Sequence, residues 1–206
     1  MDGSDEPLDP AEGLAIVEAQ RLRVQQDAVD PRVLFGAWGA AWALGYTAMA
    51  VSSARSVDHA PNGWAGATFG VALIGAGVVT AVHITRHSRG MRGPSSIAGA
   101  MYGLAWSGGF MAMAALLVAL ARLDVSAQVQ GLVANAVACL IVGVLYLAGG
   151  ALWQDRSMAV LGGWILLVSA GAGFVPMPAS YVLMAVAGGG GMLVAAGTAA
   201  LSGRRR

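Results

Sequence analysis

Charged residues are scarce in this chain of 206 residues: they make up 11% of it, and lysine is absent. A soluble globular domain contains about 25% charged residues. The formal net charge is +1, without the basic region that a nucleic-acid-binding protein needs. The single cysteine, Cys139, excludes a disulfide-stapled secreted module. Hydrophobic residues reach 57%, which excludes a disordered chain and indicates a polytopic membrane protein.

Five long stretches contain no Asp, Glu, Lys or Arg, and they cover residues 33–54, 59–85, 93–121, 125–154 and 157–203. A transmembrane helix needs about 20 apolar residues. The last stretch is long enough for two helices, and Pro176 and Pro178 divide it. The sequence therefore predicts an all-α transmembrane domain at 31–203 with six membrane-spanning helices, at about 33–53, 63–84, 97–121, 127–153, 157–174 and 179–201.

The arginines predict the orientation of these spans. With the N-terminus in the cytoplasm, ten arginines lie on the inner side and only Arg55 and Arg122 lie on the outer side. Cytoplasmic segments of membrane proteins carry an excess of basic residues. We therefore expect a multi-pass protein of the plasma (inner) membrane with both termini in the cytoplasm. The composition, which is rich in alanine and glycine and uses arginine without lysine, suggests a bacterial source.

The segment before the first span is polar. Residues 1–9 are acidic and are expected to be disordered, whereas Asp9 and Pro10 are typical of the start of a helix. This pattern predicts a weakly amphipathic helix at 10–30, which either rests on the inner membrane surface or docks a partner protein. Asp30 and Pro31 repeat the same cap-and-proline pattern at the start of the first span.

Two segments of the chain, residues 39–50 and 103–114, share the pattern G-x-A-W-x-x-G-[aromatic]-x-A-M-A. A weaker third copy surrounds Trp164. The similarity predicts two, or three, related helical hairpins, and the alternative is coincidence within a composition rich in small residues. Four consecutive glycines at 188–191 form either a smooth packing face or a point where the last helix opens onto a cavity.

The repeat and the depth of its aromatic residues suggest a ligand site. Tryptophan favours the membrane interface, where its N–H finds a polar partner. Trp42 and Trp106 lie deep within their spans, and Tyr46 and Phe110 follow each of them by one helical turn. Asn135 is the most polar side chain at mid-depth, so it needs a partner on another helix or on a ligand. The predicted ligand-binding residues are Trp42, Tyr46, Trp106, Phe110 and Asn135, and the alternative is that they only pack.

Catalytic and metal-binding patterns are missing from the spans. No predicted span contains Asp, Glu, Lys or Arg, and no histidine lies near Ser107 or Ser169 at the same depth. His83 and His87 share a helix face, but no acid or thiol lies close to them in the sequence. We expect no enzymatic activity, no cofactor and no metal site.

Two functions fit these features. The first is a transporter, or a subunit of a transport complex, that binds a neutral or amphipathic small molecule among the deep aromatic residues. The second is a membrane sensor, signalling or immunity protein that docks a cytoplasmic regulator on the basic loop containing Arg86, Arg89 and Arg92. Besides the lipid bilayer, the expected partners are such a protein or a second copy of the chain, and not nucleic acid.

Cysteine labelling tests the predicted topology. In intact cells, a membrane-impermeant thiol reagent should modify Asn62→Cys, because this position lies in the first outer loop. Ser4→Cys and Ser202→Cys should react only after the membrane is opened. Labelling of either terminal position in intact cells would contradict the cytoplasmic location of the termini.

Overall fold

The computed structural model of the chain describes residues 30–57, 59–87 and 94–203, together with residues 9, 11, 13–16 and 18 near the N-terminus. The regular structure in these ranges is helical. Four long helices come first: α1 (Pro31–Ala54), α2 (Gly63–His87), α3 (Pro94–Arg122) and α4 (Ala127–Trp153). They are followed by α5 (Arg156–Ala172) and by a C-terminal helix that consists of α6 (Ala179–Leu183), a π-helical turn (Met184–Gly189) and α7 (Gly190–Gly203).

Five of these helices, namely α1 to α4 and the C-terminal helix, are long and apolar enough to cross a membrane. The remaining helix, α5, is also apolar but has only 17 residues. The all-α fold class is therefore confirmed, and the helices are compatible with a multi-pass membrane protein. The predicted helix at 10–30 lies mostly outside the described residues, and so does the predicted disordered segment at 1–9 except for Asp9.

Polar side chains cap the starts of three helices. The Asp30 carboxylate accepts a hydrogen bond from the backbone N–H of Arg32 at 2.9 Å. The Arg32 side chain donates to the same carboxylate at 2.8 Å, and this hydrogen bond lowers the pKa of Asp30. Ser126 and Asp155 accept backbone N–H groups at the starts of α4 and α5. Each cap satisfies donors that have no partner within the helix itself.

Four helices form the centre of the bundle, and two flank it. The buried residues of the hydrophobic core all come from α1, α4, α5 and the C-terminal helix. Among the described helices, α2 packs only on α1, and α3 packs only on α4. The outer faces of α2 and α3 are therefore exposed, as expected for helices that face lipid.

Glycines let the C-terminal helix lie directly on α1. A Cβ atom built on Gly189 would lie 2.6 Å from the backbone nitrogen of Ala43 and 3.0 Å from the carbonyl oxygen of Gly39. A Cβ atom on Gly188 would lie 3.1 Å from the ring of Trp42. Such close contact allows helices to associate by van der Waals packing where no hydrophobic driving force exists. The predicted packing role of the glycine run is confirmed for Gly188 and Gly189.

The same device joins α4 to α5. A Cβ atom on Gly143 would lie 2.5 Å from a side-chain carbon of Leu166, and one on Gly162 would lie 2.7 Å from the carbonyl oxygen of Gly143. Farther along, Gly150 lies equally close to Ala159. These two close helix–helix contacts, α1 with the C-terminal helix and α4 with α5, together form the four-helix core.

The two copies of the predicted repeat occupy different places in this arrangement. Trp42 of the first copy lies in the core and is 4% exposed. Trp106 of the second copy is only half-buried, because it lies on the flanking helix α3. The copies nevertheless share a local contact: Gly45 admits the ring of Phe69 from α2, and Gly109 admits an isoleucine side chain from α4. The sequence similarity thus accompanies a shared contact within each hairpin and not a shared position in the bundle.

Adjacent glycines in the π-helical turn and α7 test the contact with α1. Gly189→Ala should lower the melting temperature of the purified chain in detergent, because overpacking typically costs about 1–3 kcal/mol. Gly190→Ala is the matched control, since no atom lies within 4 Å of the added Cβ. Alanine there should be neutral or stabilising by up to about 1 kcal/mol of helix propensity. Equal effects of the two substitutions on the melting temperature would contradict the direct contact.

Candidate ligand-binding site

Tyr46 and Asn135 meet in the interior of the bundle. The Tyr46 hydroxyl of α1 donates a hydrogen bond to the side-chain oxygen of Asn135 on α4. Tyr46 is 5% exposed and Asn135 is half-buried. Asn135 therefore finds a partner on another helix, as a polar side chain within a span requires. These are two of the five predicted ligand-binding residues.

Further polar groups of α4 and α5 lie next to this hydrogen bond. The thiol of Cys139, one turn after Asn135, is 4.0 Å from the Asn135 side-chain oxygen. The same thiol lies close to the hydroxyl groups of Tyr46 and Ser169. Tyr46, Asn135, Cys139 and Ser169 thus bring together a phenol, an amide, a thiol and a hydroxyl from three helices. None of them carries a formal charge in its ordinary state near neutral pH.

Aromatic rings surround these polar groups. The ring of Trp42 meets that of Tyr46 edge-on with centroids 5.6 Å apart, and the ring of Phe69 lies 4.7 Å away on the α2 side. Tyr181 of α6 stacks on Tyr46 at 6.4 Å. Gly45 makes the approach of Phe69 possible, because a Cβ atom there would lie 2.0 Å from the Phe69 ring. We call the residues Trp42, Tyr46, Phe69, Asn135, Cys139 and Tyr181 the Tyr46 cluster.

Trp106 and Phe110 belong to a second group of rings. Trp106 stacks on Phe110 with centroids 6.1 Å apart and meets Tyr146 of α4 edge-on at 5.9 Å. Tyr146 in turn contacts Phe35 near the start of α1. Tyr102 completes the group from α3 and donates a hydrogen bond to the carbonyl of Leu145 at 2.8 Å.

The two groups of rings are well separated along the bundle. Tyr146 lies three helical turns beyond Asn135 on α4, and Phe35 lies three turns before Tyr46 on α1. Three turns correspond to roughly 16 Å. The structure therefore brings Trp42, Tyr46 and Asn135 together and places the Trp106 group elsewhere. Among the described residues no ring contact joins the two tryptophans, and each has its own aromatic partners.

The π-helical turn adjoins the Tyr46 cluster and is braced by Trp164. The indole N–H of Trp164 on α5 donates to the carbonyl oxygen of Ala187 at 2.8 Å. Gly191 leaves room for this ring, because a Cβ atom there would lie 2.5 Å from the indole nitrogen. A π-helical turn is a rare interruption of an α-helix and is frequently found at functional sites. The glycine run therefore combines a packing face with a π-helical turn, and the predicted opening onto a cavity stays a prediction.

The predicted docking residues lie at the end of α2. Arg86 is exposed in its last turn, whereas Arg89 and Arg92 lie outside the described residues. Nearby, the backbone N–H of Asp30 donates to Nε2 of His83 at 3.0 Å, which joins the start of α1 to this end of α2. The rings of His83 and His87 are tilted relative to each other, with centroids 4.2 Å apart. Within the described part of the chain, no three His, Cys, Asp or Glu side chains are grouped as a metal site would require.

Sequence reasoning missed several members of the Tyr46 cluster. Phe69 and Tyr181 were not singled out because each stands alone within an apolar helix. Cys139 offered one weak signal, since it follows Asn135 by one helical turn and so shares its face. No spacing in the sequence connects Trp164 with Ala187, because that hydrogen bond depends on how α5 meets the C-terminal helix.

Comparison with known proteins finds no match to this chain among protein-family models, curated proteins or solved structures.

A double-mutant cycle tests the central hydrogen bond. Tyr46→Phe and Asn135→Leu should each destabilise the bundle, and together they should show a coupling energy of about 0.6–2 kcal/mol, the range for hydrogen bonds between membrane helices. Tyr181→Phe is the matched control, because the Tyr181 hydroxyl has no hydrogen bond to the described residues. Its cycle with Asn135→Leu should show coupling near zero. Equal coupling in both cycles, measured by reversible unfolding in detergent, would argue against the assigned pair.

Proposed function

We propose that the chain is a plasma-membrane protein with six spans and cytoplasmic termini that binds a small neutral or amphipathic molecule at the Tyr46 cluster. Binding at this depth serves movement of the molecule across the membrane, by the chain alone or as a subunit of a transport complex. The ten inner arginines against two outer ones support the orientation. In addition to the five long helices, we count α5 as a span. Its 17 residues are at the short end of the range for membrane-spanning helices.

The observation that carries this proposal is unused hydrogen-bonding capacity in the Tyr46 cluster. One end of the Asn135 carboxamide bonds Tyr46, and the other end has no partner among the described residues, whichever way the amide is turned. The indole N–H of Trp42 and the hydroxyl of Tyr181 are likewise unpaired with described residues. A polar group that lacks a partner in a medium without water costs several kcal/mol. A bound molecule with complementary polar groups would remove this cost.

The unpaired groups are also accessible. Every fully enclosed side-chain nitrogen or oxygen atom in the described part of the chain has a hydrogen-bond partner. The free end of Asn135, the Trp42 indole nitrogen and the Tyr181 hydroxyl oxygen are therefore not completely enclosed by protein atoms, although Trp42 and Tyr181 are 4% and 6% exposed. Narrow access to polar groups between aromatic rings is typical of a binding site for a small molecule.

The chemistry of the cluster limits the ligand and the energy source. No Asp, Glu, Lys or Arg lies within a predicted span, so nothing in the cluster would pair with a charged group on the ligand. Coupling to protons or ions commonly relies on such charges at depth. Movement of the ligand is therefore passive, or is driven by a partner protein. The π-helical turn beside the cluster supplies the local helix irregularity that many transporters have at their substrate sites.

A second function, docking of a cytoplasmic regulator, is favoured by the contact between Asp30 and His83. This hydrogen bond places the start of α1, to which the N-terminal segment is attached, beside the exposed Arg86. The N-terminal segment and the basic loop with Arg89 and Arg92 would then offer one joint surface to a protein partner, as a sensor or signalling protein requires.

The proposed binding site is tested by what the protein retains during mild purification. We expect mass spectrometry of extracts from the purified wild-type chain to find a small molecule that is depleted in Asn135→Leu. Trp42→Phe should also lower its amount, because it removes the indole N–H, which has no partner in the described structure, together with part of the ring that packs against Gly188. Gln128→Leu removes an exposed amide outside the cluster and serves as the control.

Each variant is checked for a monodisperse folded state before extraction. A small molecule retained equally by wild type, Asn135→Leu and Trp42→Phe would contradict binding at the Tyr46 cluster. A soluble protein that is retained by wild type and lost from Arg86→Glu would support the second function instead.

A further inference from the structure

A shallow, largely open groove runs along the exposed face of α3 and ends at an arginine. It has a volume of about 470 Å³ and is lined by Met111, Ala114, Ala115, Val118, Ala119 and Arg122. Each of these residues has another member of the set three or four positions away, so they lie on one face of the helix. The alanines between the bulkier ends leave the groove open. Because α3 packs only on α4 among the described helices, nothing in the described bundle covers it.

The length of the groove matches one leaflet of a bilayer. From Met111 to Arg122 the helix rises about 16 Å. The hydrocarbon core is about 30 Å thick, so one leaflet contributes about 15 Å. Arg122 is the last residue of α3 and the first charged residue after the apolar span, which places it at the membrane surface. The groove therefore leads from the headgroup region to the middle of the membrane.

Arg122 is available for an anionic group. It is exposed, and the one ion pair among the described residues is that of Asp30 with Arg32. Asp124 follows two residues later, is also exposed and forms no ion pair with Arg122. A guanidinium group matches the geometry of a phosphate and binds it through paired charge-assisted hydrogen bonds. An apolar groove one leaflet long with a free arginine at its polar end complements a phospholipid.

We propose that this groove binds one phospholipid of the leaflet in which α3 ends, with the lipid phosphate on Arg122 and an acyl chain along Ala115 and Ala119. The site is separate from the Tyr46 cluster, because α3 contributes no residue to that cluster. Binding here would cover a flanking helix that contacts the rest of the described bundle through α4 alone.

Native mass spectrometry of the full chain in detergent tests the proposal with two added lipids. The probes are phosphatidylglycerol and a neutral glucosyl diacylglycerol with the same acyl chains, which lacks the phosphate. We expect wild type to retain one phosphatidylglycerol, and Arg122→Gln to bind it about tenfold more weakly because the charge-assisted bonds are lost. Arg55→Gln is the matched control: Arg55 is exposed just after α1, on the same predicted membrane side, and should not change binding.

A second variant distinguishes the contribution of the apolar groove to lipid binding from that of the Arg122 charge. Ala119→Phe should fill the groove and weaken retention of both lipids, whereas Arg122→Gln should affect phosphatidylglycerol alone. Equal retention of both lipids by wild type, or equal loss from Arg122→Gln and Arg55→Gln, would overturn the phosphate contact. A wild-type dimer that Ala119→Phe converts to a monomer would overturn the proposal in favour of an interface between two copies.

Discussion

The direct contact between the backbones of α1 and the C-terminal helix is the constraint on which the remaining structure depends. Gly39 and Gly189 remove the side chains that would hold these helices apart, and Ala43 completes the contact. In a bilayer, lipid tails are as apolar as leucine, so helices associate where their surfaces fit most closely. This contact fixes the rotation of α1 about its axis. Trp42 and Tyr46 consequently point into the core, where Tyr46 meets Asn135.

The π-helical turn follows from the same contact. Gly188 and Gly189 pack on α1, whereas Gly191 faces α5 and leaves room for the indole of Trp164. A glycine costs about 1 kcal/mol of helix propensity relative to alanine, so four together make this part of the helix easy to widen. The hydrogen bond from Trp164 to the carbonyl of Ala187 adds a partner from another helix at the widened turn. One short glycine run therefore allows close packing on two neighbouring helices and also accompanies the change from α-helix to π-helix.

Polar groups inside a charge-free bundle can serve cohesion, binding or both. The bond between Tyr46 and Asn135 gives cohesion, since each partner would otherwise be unsatisfied. The free end of Asn135 and the indole N–H of Trp42 have no hydrogen-bond partner within the described residues, which is why we propose that they bind a ligand. Because no span carries a charge, such a site discriminates by shape and hydrogen bonding rather than by electrostatic attraction.

The sequence by itself determined which stretches form helices. Long runs without charge can be buried in lipid only as helices, and the pair Asp30 and Pro31 marks the start of the first of them. It also indicated that Asn135 needs a partner, but not which one. Only the tertiary structure chose Tyr46, separated Trp106 from Trp42 and placed α2 and α3 at the flanks. The physical reason is that these helices are apolar on nearly every face, so no polar stripe marks the side that faces the core. The rotation of each helix about its axis and the choice of its neighbouring helices then depend on how small and large side chains fit together between helices.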